Sequence, residues 1–360
     1  MFDRYATPFI NHYFGNCYGR SFMKRLSVFL SVFLVLISFC CAYASETLDT
    51  VKSRGYLVAG VNTGAAGFSM PDSQGNWAGL DVDIARSIAT AVFGDPSKVK
   101  FIPLTSQQRF AALQSGEVDV LCRQTTMTLS RDTSLGFEFT VPVYYDGQGI
   151  MVPKKLGVKS ATELDGATIS LLPGTTTERN IADYFRANGM EFKPVLIESK
   201  DELLKSFVSG RCDCLTSDAS TLAGMRTVTA DPGKYMILPE RISKEPLTTA
   251  VRQGDTQWKD IVYWTVLALI EAEDLGIDSK NVDKMLASKD PKVQRFLGVT
   301  PGNGKALGLD EKWAYNIIKQ VGNYGEVFAR NLGPGTPMNL ERGMNKLYKD
   351  DGLLYSPPFK

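Results

Sequence analysis

The residue types that carry most enzyme catalysis are scarce in this chain. Its single histidine is His12, which precedes the apolar segment of the N-terminus. Without a later histidine, Ser-His-Asp catalysis, Cys-His catalysis and histidine-ligated zinc sites are excluded. We therefore expect no catalytic residue, no metal and no cofactor.

The cysteines that follow the apolar segment are Cys122, Cys212 and Cys214. Two neighbouring cysteines are too few to hold a metal by themselves, and an odd total leaves at least one free thiol. We expect all three to be buried as small apolar residues. A disulfide that includes Cys212 or Cys214 is the alternative.

Polar residues follow two predicted strands. Each of these strands ends a stretch of sequence, and the two stretches are similar. Leu113-x-Ser115-Gly116-x-x-Asp119-x-Leu121 corresponds to Phe207-x-Ser209-Gly210-x-x-Asp213-x-Leu215. The first strand leads to Gln124-Thr125-Thr126 and the second to Ser217-Asp218. Ligands of open α/β sheets bind beyond the carboxyl ends of strands, so these two ends predict a cleft between lobes. The alternative is a chance match between common α/β sequences.

Strands and helices alternate along the segments that carry these residues. The pattern predicts strands at 56–61, 98–103, 118–122 and 168–172, and helices at 84–92 and 106–114. Such alternation predicts an α/β fold whose sheets are mostly parallel and flanked by helices.

The N-terminus is predicted to be a secretory signal peptide covering residues 1–44. Lys24 and Arg25 precede the apolar run 26–39, and Ala42-Tyr43-Ala44 offers a small-residue cleavage site. The run is short for a transmembrane helix, and an uncleaved membrane anchor is the alternative. We expect Met23 to be the true start of translation.

The remaining chain, about 315 residues, is long enough for two lobes with separate cores. We place the first part of lobe 1 at 45–151, lobe 2 at 152–247, and the return to lobe 1 with a helical C-terminal extension at 248–360. Extended segments at 147–152 and 247–251 are predicted to cross between the lobes as a two-segment hinge. Basic residues number 40 against 39 acidic ones, and no basic arm indicates a nucleic-acid partner.

The order of motifs after residue 45 resembles that of the polar amino-acid-binding proteins of ABC importers. These are family 3 solute-binding proteins with the type II periplasmic-binding-protein fold, and the general L-amino-acid subgroup has the same long C-terminal extension. The motifs that carry the resemblance are Gly79-Leu80-Asp81-Val82-Asp83, Thr105-Ser106-Gln107-Gln108-Arg109-Phe110, Val118-Asp119-Val120-Leu121, Thr125-Thr126-Met127-Thr128-Leu129-Ser130-Arg131 and Leu172-Pro173-Gly174-Thr175-Thr176-Thr177-Glu178-Arg179. The resemblance implies a periplasmic monomer that binds L-amino acids and delivers them to the membrane permease of an ABC transporter.

The resemblance assigns the two charges of an amino acid to opposite lobes. Arg131 matches the residue that clamps the ligand α-carboxylate, a role that suits a planar, bidentate guanidinium. Thr126 is expected to donate to the same carboxylate, and Gln124 to accept from the ammonium. Asp218 matches the carboxylate that pairs with the α-ammonium. The alternatives are a solvated loop arginine for Arg131 and a helix cap for Asp218.

Two further groups of side chains are expected at the ligand. Thr176 and Thr177, with Thr175, lie at a predicted helix N-terminus, where free backbone N–H groups favour anions. By the resemblance, Ser106 and Arg109 match positions that reach the ligand side chain in binders of acidic amino acids. For Arg109 the alternative is a helix arginine that braces a loop.

The chain departs from narrow-specificity relatives at Gly64-Ala65-Ala66-Gly67, where those relatives often have an aromatic lid. Small residues leave room there and remove selective stacking, which predicts a broad range of polar L-amino acids.

Two other functions compete with binding for import. A secreted cyclohexadienyl dehydratase acting on prephenate or arogenate would need a general acid, and no carboxylate or histidine beyond Asp218 suggests itself. A sensory module of a membrane receptor would need a transmembrane segment after the lobes, which the sequence does not show.

Overall fold

A computed structural model of the chain describes residues 46–360. The predicted signal peptide, 1–44, lies outside the described residues. The strands are β1 Leu57–Asn62, β2 Met70–Pro71, β3 Trp77–Ala78, β4 Val99–Leu104, β5 Val120–Thr126, β6 Phe137–Asp146, β7 Gln148–Pro153, β8 Thr168–Leu171, β9 Lys193–Leu196, β10 Cys214–Asp218, β11 Tyr235–Ile237 and β12 Glu245–Arg252.

Helices alternate with these strands and then fill the C-terminal part. The α-helices are α1 Glu46–Arg54, α2 Leu80–Phe93, α3 Gln108–Ser115, α4 Leu129–Ser134, α5 Thr176–Ala187, α6 Lys200–Val208, α7 Ala219–Thr227, α8 Thr256–Asp274, α9 Val282–Met285, α10 Pro291–Phe296, α11 Asn303–Leu307, α12 Trp313–Gln320 and α13 Tyr324–Asn331. Short 3-10 turns lie at Lys154–Leu156, Ala161–Glu163, Pro232–Lys234, Gly343–Asn345 and Tyr348–Asp350.

Two five-stranded sheets form the framework, and β2 and β3 form a separate ribbon. The first sheet has the order β4-β1-β5-β12-β6, in which β12 alone runs against its neighbours. The second has the order β11-β7-β10-β8-β9, in which β10, β8 and β9 are parallel and β7 is antiparallel to both of its neighbours. Mostly parallel sheets flanked by helices confirm the predicted α/β class.

The repeated sequence pattern has one structural basis in both sheets. Asp119, just before β5, accepts a hydrogen bond at Oδ2 from the backbone N–H of Val58 at 2.7 Å, and Asp213 accepts one from Thr168 at 2.8 Å. In return, the backbone N–H of Asp119 donates to the carbonyl of Val58, and that of Asp213 donates to the carbonyl of Thr168, both at 2.9 Å. The glycine three residues before each aspartate has a positive φ, 79° and 77°, which lets the preceding helix end. Each aspartate thus fastens a new strand beside its parallel neighbour.

The chain passes between the two sheets at two short stretches. β6 ends at Asp146 and β7 begins at Gln148, whereas the return runs from Ile237, the end of β11, to Glu245, the start of β12. The extended segments predicted as crossings are strands hydrogen-bonded within a sheet, 148–152 in the second and 247–251 in the first. The lobe boundaries at 151–152 and 247–248 remain a proposal, and this strand pairing favours moving both toward the N-terminus.

The C-terminal extension packs against the first sheet. Trp258, Ile261 and Val262 of α8 are buried, and they share one apolar core with residues of β1, α2, α12 and α13. Arg330 Nε donates to Asp83 Oδ2 of α2 at 2.8 Å, and Tyr324 Oη donates to the carbonyl of Val143 at 2.8 Å. The extension therefore completes the core of the first lobe.

The cysteines of the described chain, Cys122, Cys212 and Cys214, are buried and unpaired. The structure thus agrees with the expectation of buried thiols rather than with the disulfide alternative. Between residues 46 and 360 no helix is both long enough and apolar enough to cross a membrane.

Candidate functional site

One cavity lies between the carboxyl ends of β5 and β10 and encloses about 380 Å³ including its opening to solvent. All the residues predicted to bind ligand line it, namely Ser106, Arg109, Gln124, Thr126, Arg131, Thr176, Thr177 and Asp218. Thr175, expected at the same helix N-terminus, lines it as well, and the residues that were not predicted to bind are Asn62, Arg123, Leu172, Lys200, Ser217 and Thr221. The two sheets therefore bring the predicted residues together, and their part in ligand binding remains a proposal.

Arg131 lies on α4, directly after the end of β5, and its side chain is buried. Its Nη1 donates to the carbonyl of Thr126 at 2.8 Å, and its Cζ stands 5.2 Å from the ring centroid of Phe110. Burial lowers the pKa of Arg131, while the nearby carboxylates of Glu245 and Asp218 raise it. A guanidinium has five N–H donors, so Arg131 is held in place with donors left for an anion.

Asp218 ends β10 on the opposite side of the cavity. It holds the N-cap position of α7, but its side chain makes no capping hydrogen bond, so capping does not occupy its carboxylate. Burial raises the pKa of Asp218 well above its usual range, Asp146 and Glu245 raise it further, and Lys200 and Arg109 oppose the rise. A ligand cation beside this carboxylate would favour its ionised form.

Gln124 has an unusual backbone within β5, with a φ of 51°. Side chains alternate between the faces of a regular strand, yet adjacent Arg123 and Gln124 both line the cavity. The Gln124 amide donates from Nε2 to Thr221 Oγ1 at 3.1 Å, and its Oε1 accepts from Asn62 Nδ2 at 3.3 Å. Gln124 therefore joins the two lobes, and its predicted acceptor oxygen already has one protein partner.

The N-terminus of α5 faces the cavity through the threonines predicted there. Thr175 is the N-cap, because its Oγ1 accepts from the N–H of Glu178 at 3.3 Å. Thr176 and Thr177 occupy the first turn, where backbone N–H groups have no partner within the helix. The positive end of the helix is thus directed at the same space as Arg131.

Glu245, at the start of β12, is a buried carboxylate that carries no motif signal in the sequence. It accepts hydrogen bonds from Thr126 Oγ1 at 2.6 Å, Thr176 Oγ1 at 2.9 Å, Asn180 Nδ2 at 2.7 Å and Ser243 Oγ at 2.6 Å. Thr126 belongs to the first sheet, whereas Thr176 and Asn180 belong to α5 of the second lobe. Glu245 therefore links the two lobes by hydrogen bonds beside the cavity.

Arg109 and Arg123 line the cavity as buried cations whose donors are incompletely used. The Nε atoms of both, and Nη1 of Arg123, have no hydrogen-bond partner. Arg109 Nη2 makes one long contact, 3.5 Å, with the carbonyl of Gly174 in the second lobe. Burial lowers the pKa of Arg123 to about 10, against the opposing effect of Asp81. A charged residue directly after the apolar run Val120-Leu121-Cys122 of β5 is the sequence signal for Arg123.

Lys200, the first residue of α6, adds a further cation to the cavity wall. Burial and the charge of Arg123 lower its pKa to about 7, although Asp218 and Asp81 favour its charged form. Asp81, buried behind the wall, has its pKa raised to about 7 by burial, against the effect of Arg123 and Lys200. With Glu245 satisfied by hydroxyl and amide donors, Asp218 is the carboxylate that lines the cavity among its cations.

The comparisons with known proteins agree on one family. The model of the bacterial extracellular solute-binding proteins, family 3, matches residues 57–277. The general L-amino acid-binding periplasmic protein AapJ of Rhizobium johnstonii is 51% identical over 339 residues, which cover 94% of this chain and 99% of that protein. The glutamate/glutamine/aspartate/asparagine-binding protein BztA of Rhodobacter capsulatus is 49% identical over 339 residues, which cover 94% of this chain and 100% of that protein.

A solved structure is similar over most of the chain. It is an ABC transporter periplasmic binding protein from Brucella ovis with glutathione bound, and it is 51% identical in sequence. The superposition has a TM-score of 0.86 and covers 88% of this chain and 100% of the other.

Proposed function

The chain belongs to family 3 of the bacterial extracellular solute-binding proteins, and we propose that it captures free L-amino acids between its lobes for an ABC importer. The resemblance noted in the motifs is confirmed by this membership. The observation that carries the proposal is one cavity that holds Arg131 from the first lobe and Asp218 from the second.

Arg131 and Asp218 carry opposite charges, and this pair suits a zwitterion better than it suits any ligand with a single charge. Arg131 grips the α-carboxylate with its remaining donors, assisted by the free N–H groups at the start of α5, whereas the Thr126 hydroxyl already donates to Glu245. Asp218 pairs with the α-ammonium. Because Arg131 and Asp218 lie on different lobes, both contacts form only when the lobes are together, and exclusion of water then strengthens each of them.

The empty protein opens at the two stretches that join the sheets, 146–148 and 237–245. Ligand favours closure through contacts that exist only in the closed state. Glu245, Gln124 and Arg109 already form hydrogen bonds between the lobes in the described conformation, which supports its assignment as the closed form.

The ligand range is broad, and it extends over several polar L-amino acids. All the clamping groups address the α-carbon substituents that amino acids share, and the small residues 64–66 line a space beside the cavity into which different side chains can extend. A second ligand class, peptides such as glutathione, is favoured by the Brucella ovis structure, which holds that molecule.

The protein acts in the periplasm as a monomer, after cleavage of the signal peptide behind Ala44, and it delivers ligand to a membrane permease without changing it chemically. The relatives compared are named as binding proteins, and they give no support to the dehydratase alternative.

A thermal-shift screen of the purified protein against the twenty L-amino acids and their D-enantiomers tests the proposal. Several polar L-amino acids should raise the Tm and bind within roughly two decades of one another in Kd. Small-angle scattering should show compaction with those ligands, and chromatography should recover them unchanged. Stabilisation by no amino acid, or turnover of prephenate or arogenate, would defeat the proposal.

A further inference from the structure

A second space adjoins the cavity and opens toward solvent, and we call it the side groove. It encloses about 410 Å³ including its opening, and it shares Lys200 and Thr221 with the cavity. One wall is the segment 64–66 with Met70, and the other is formed by α6 and α7. The side groove is therefore a continuation of the ligand site.

The walls of the side groove are mostly apolar. Leu204 of α6 and Met225 of α7 line it, and Met70 and Val228 stand at its mouth, with exposed fractions of 38% and 57%. The walls meet at Gly224, where an added Cβ would lie 3.2 Å from Ala66 Cβ. Larger side chains at 65 and 66 would fill this space, so its existence depends on the small residues there.

The junction between cavity and side groove presents hydrogen-bond donors. Lys200 has donors and no acceptor. Thr221 Oγ1 already accepts from Gln124 Nε2 at 3.1 Å, so its own hydroxyl hydrogen is free to donate onward. Two donors suit a carbonyl oxygen, such as that of a side-chain amide. Asp201, exposed at the rim, offers an acceptor for an N–H group.

We propose that the side groove is a subsite for ligands extended through their side chain, and that its ligand class is γ-linked glutamyl amides and peptides. The inference rests on the proposed function, because Arg131 and Asp218 must first hold the α-carboxylate and the α-ammonium. With both α-groups held, the side chain is the part of the ligand that can leave the cavity. The γ-carbonyl accepts from Lys200 and Thr221, and the substituent on the amide nitrogen lies along the apolar walls.

The same geometry rejects α-linked isomers, because an amide at the α-carbon removes the carboxylate that Arg131 binds. A matched pair of probes is γ-L-glutamylethylamide and its isomer L-glutamic acid α-ethylamide, which have the same composition and net charge. Calorimetric titration should give the γ-isomer a Kd within roughly tenfold of that of L-glutamine, since the ethyl group enters apolar surface. The α-isomer should bind at least about a hundredfold more weakly than the γ-isomer.

Variants locate the extension in the side groove. Val228→Trp and Leu204→Trp fill the space from the second lobe, and each should weaken γ-L-glutamylethylamide by roughly tenfold or more while leaving L-glutamine within about twofold. Val208→Trp is the control, because Val208 is a similarly exposed valine at the end of α6 that does not line the side groove.

The outcomes separate this inference from the proposed function. Binding of L-glutamine without binding of γ-L-glutamylethylamide would overturn the inference and leave the proposed function standing. Equal losses in Val228→Trp and Val208→Trp would also overturn it, because the extension would then lie elsewhere. Failure of every amino acid to bind would remove the proposed function, and the inference with it.

Discussion

Two carboxylates near the cleft, Glu245 and Asp218, have opposite surroundings. Glu245 accepts hydrogen bonds from four side chains, so both of its carboxylate oxygens are satisfied within the protein. The Asp218 side chain makes no capping hydrogen bond to α7, and burial raises its pKa well above its usual range. A carboxylate whose oxygens are filled by hydrogen bonds from the protein stabilises the fold, whereas one at a cavity wall without such bonds can accept them from a ligand.

The arginines of the C-terminal extension and of the cavity differ in the same way. Arg330 and Arg342, in the C-terminal extension, have carboxylate partners in Asp83 and Glu273. Arg109 and Arg123, at the cavity, keep buried nitrogen atoms without partners. Donors left unpaired at the cavity wall are available to a ligand, although buried polar atoms without partners also occur away from the cavity, at Glu240 and Thr265.

Arg131→Ala should have the largest effect, because it removes the clamp for the α-carboxylate. The loss of one partner from a desolvated charge pair costs ~2–5 kcal/mol, or roughly 30-fold to several-thousand-fold in Kd. Calorimetric titration with the tightest ligand of the screen measures it. Arg186→Ala, on the exposed face of α5, is the matched control and should bind normally. Near-native affinity of Arg131→Ala would remove Arg131 from the site.

Asp218→Asn should weaken amino acids by roughly 30-fold to several-hundred-fold, because the α-ammonium loses its counter-charge. Deaminated analogues, the 2-oxo acids, lack that ammonium and should lose much less. Titration of both ligand types against the variant and the native protein gives the two ratios. Equal losses for amino acids and 2-oxo acids would show that Asp218 does not pair with the ammonium.

The affinity for a neutral amino acid should fall as the pH falls through the pKa of Asp218, which burial raises in the closed form. The ionised carboxylate binds the ammonium and the protonated one does not, so the limiting slope is about tenfold per pH unit. Binding below that pKa should release a proton, which titration in buffers of different ionisation enthalpy detects. Asp218→Asn should flatten the profile, and an unchanged slope in this variant would point to another titrating group, such as Lys200.

Glu245→Gln should have the smallest effect on binding and should not distinguish between ligand types. The amide keeps one acceptor oxygen but loses charge-assisted hydrogen bonds that link the lobes, at a cost of about 1–3 kcal/mol in the free energy of unfolding. Amino acids and 2-oxo acids should weaken together, by roughly fivefold to thirtyfold, with a lower Tm. A loss of affinity confined to amino acids would indicate that Glu245 pairs with the ammonium and does not act by linking the lobes.

The sequence alone determined the fold class and the approximate positions of the strands, although β5 continues to Thr126, beyond its predicted end at 122. Alternating strands and helices, and the repeat around Asp119 and Asp213, depend on local periodicity and on glycines at helix ends, which neighbouring residues specify. The motifs then marked Arg131 and Asp218 as candidate partners of a ligand. Such features can be predicted from the sequence because each of them lies within one short segment.

The tertiary structure decided what surrounds these residues. Glu245 contacts Thr126, Thr176 and Asn180, which lie 65 to 119 residues away in the chain. No local sequence pattern therefore predicts these hydrogen bonds. Arg123 lines the cavity beside Gln124 because the positive φ of Gln124 interrupts the alternation of faces, a backbone feature that the residue type does not dictate. The side groove exists only where small residues of one lobe face α6 and α7 of the other. Contacts between distant segments depend on how the lobes meet, and packing of the whole chain fixes that arrangement.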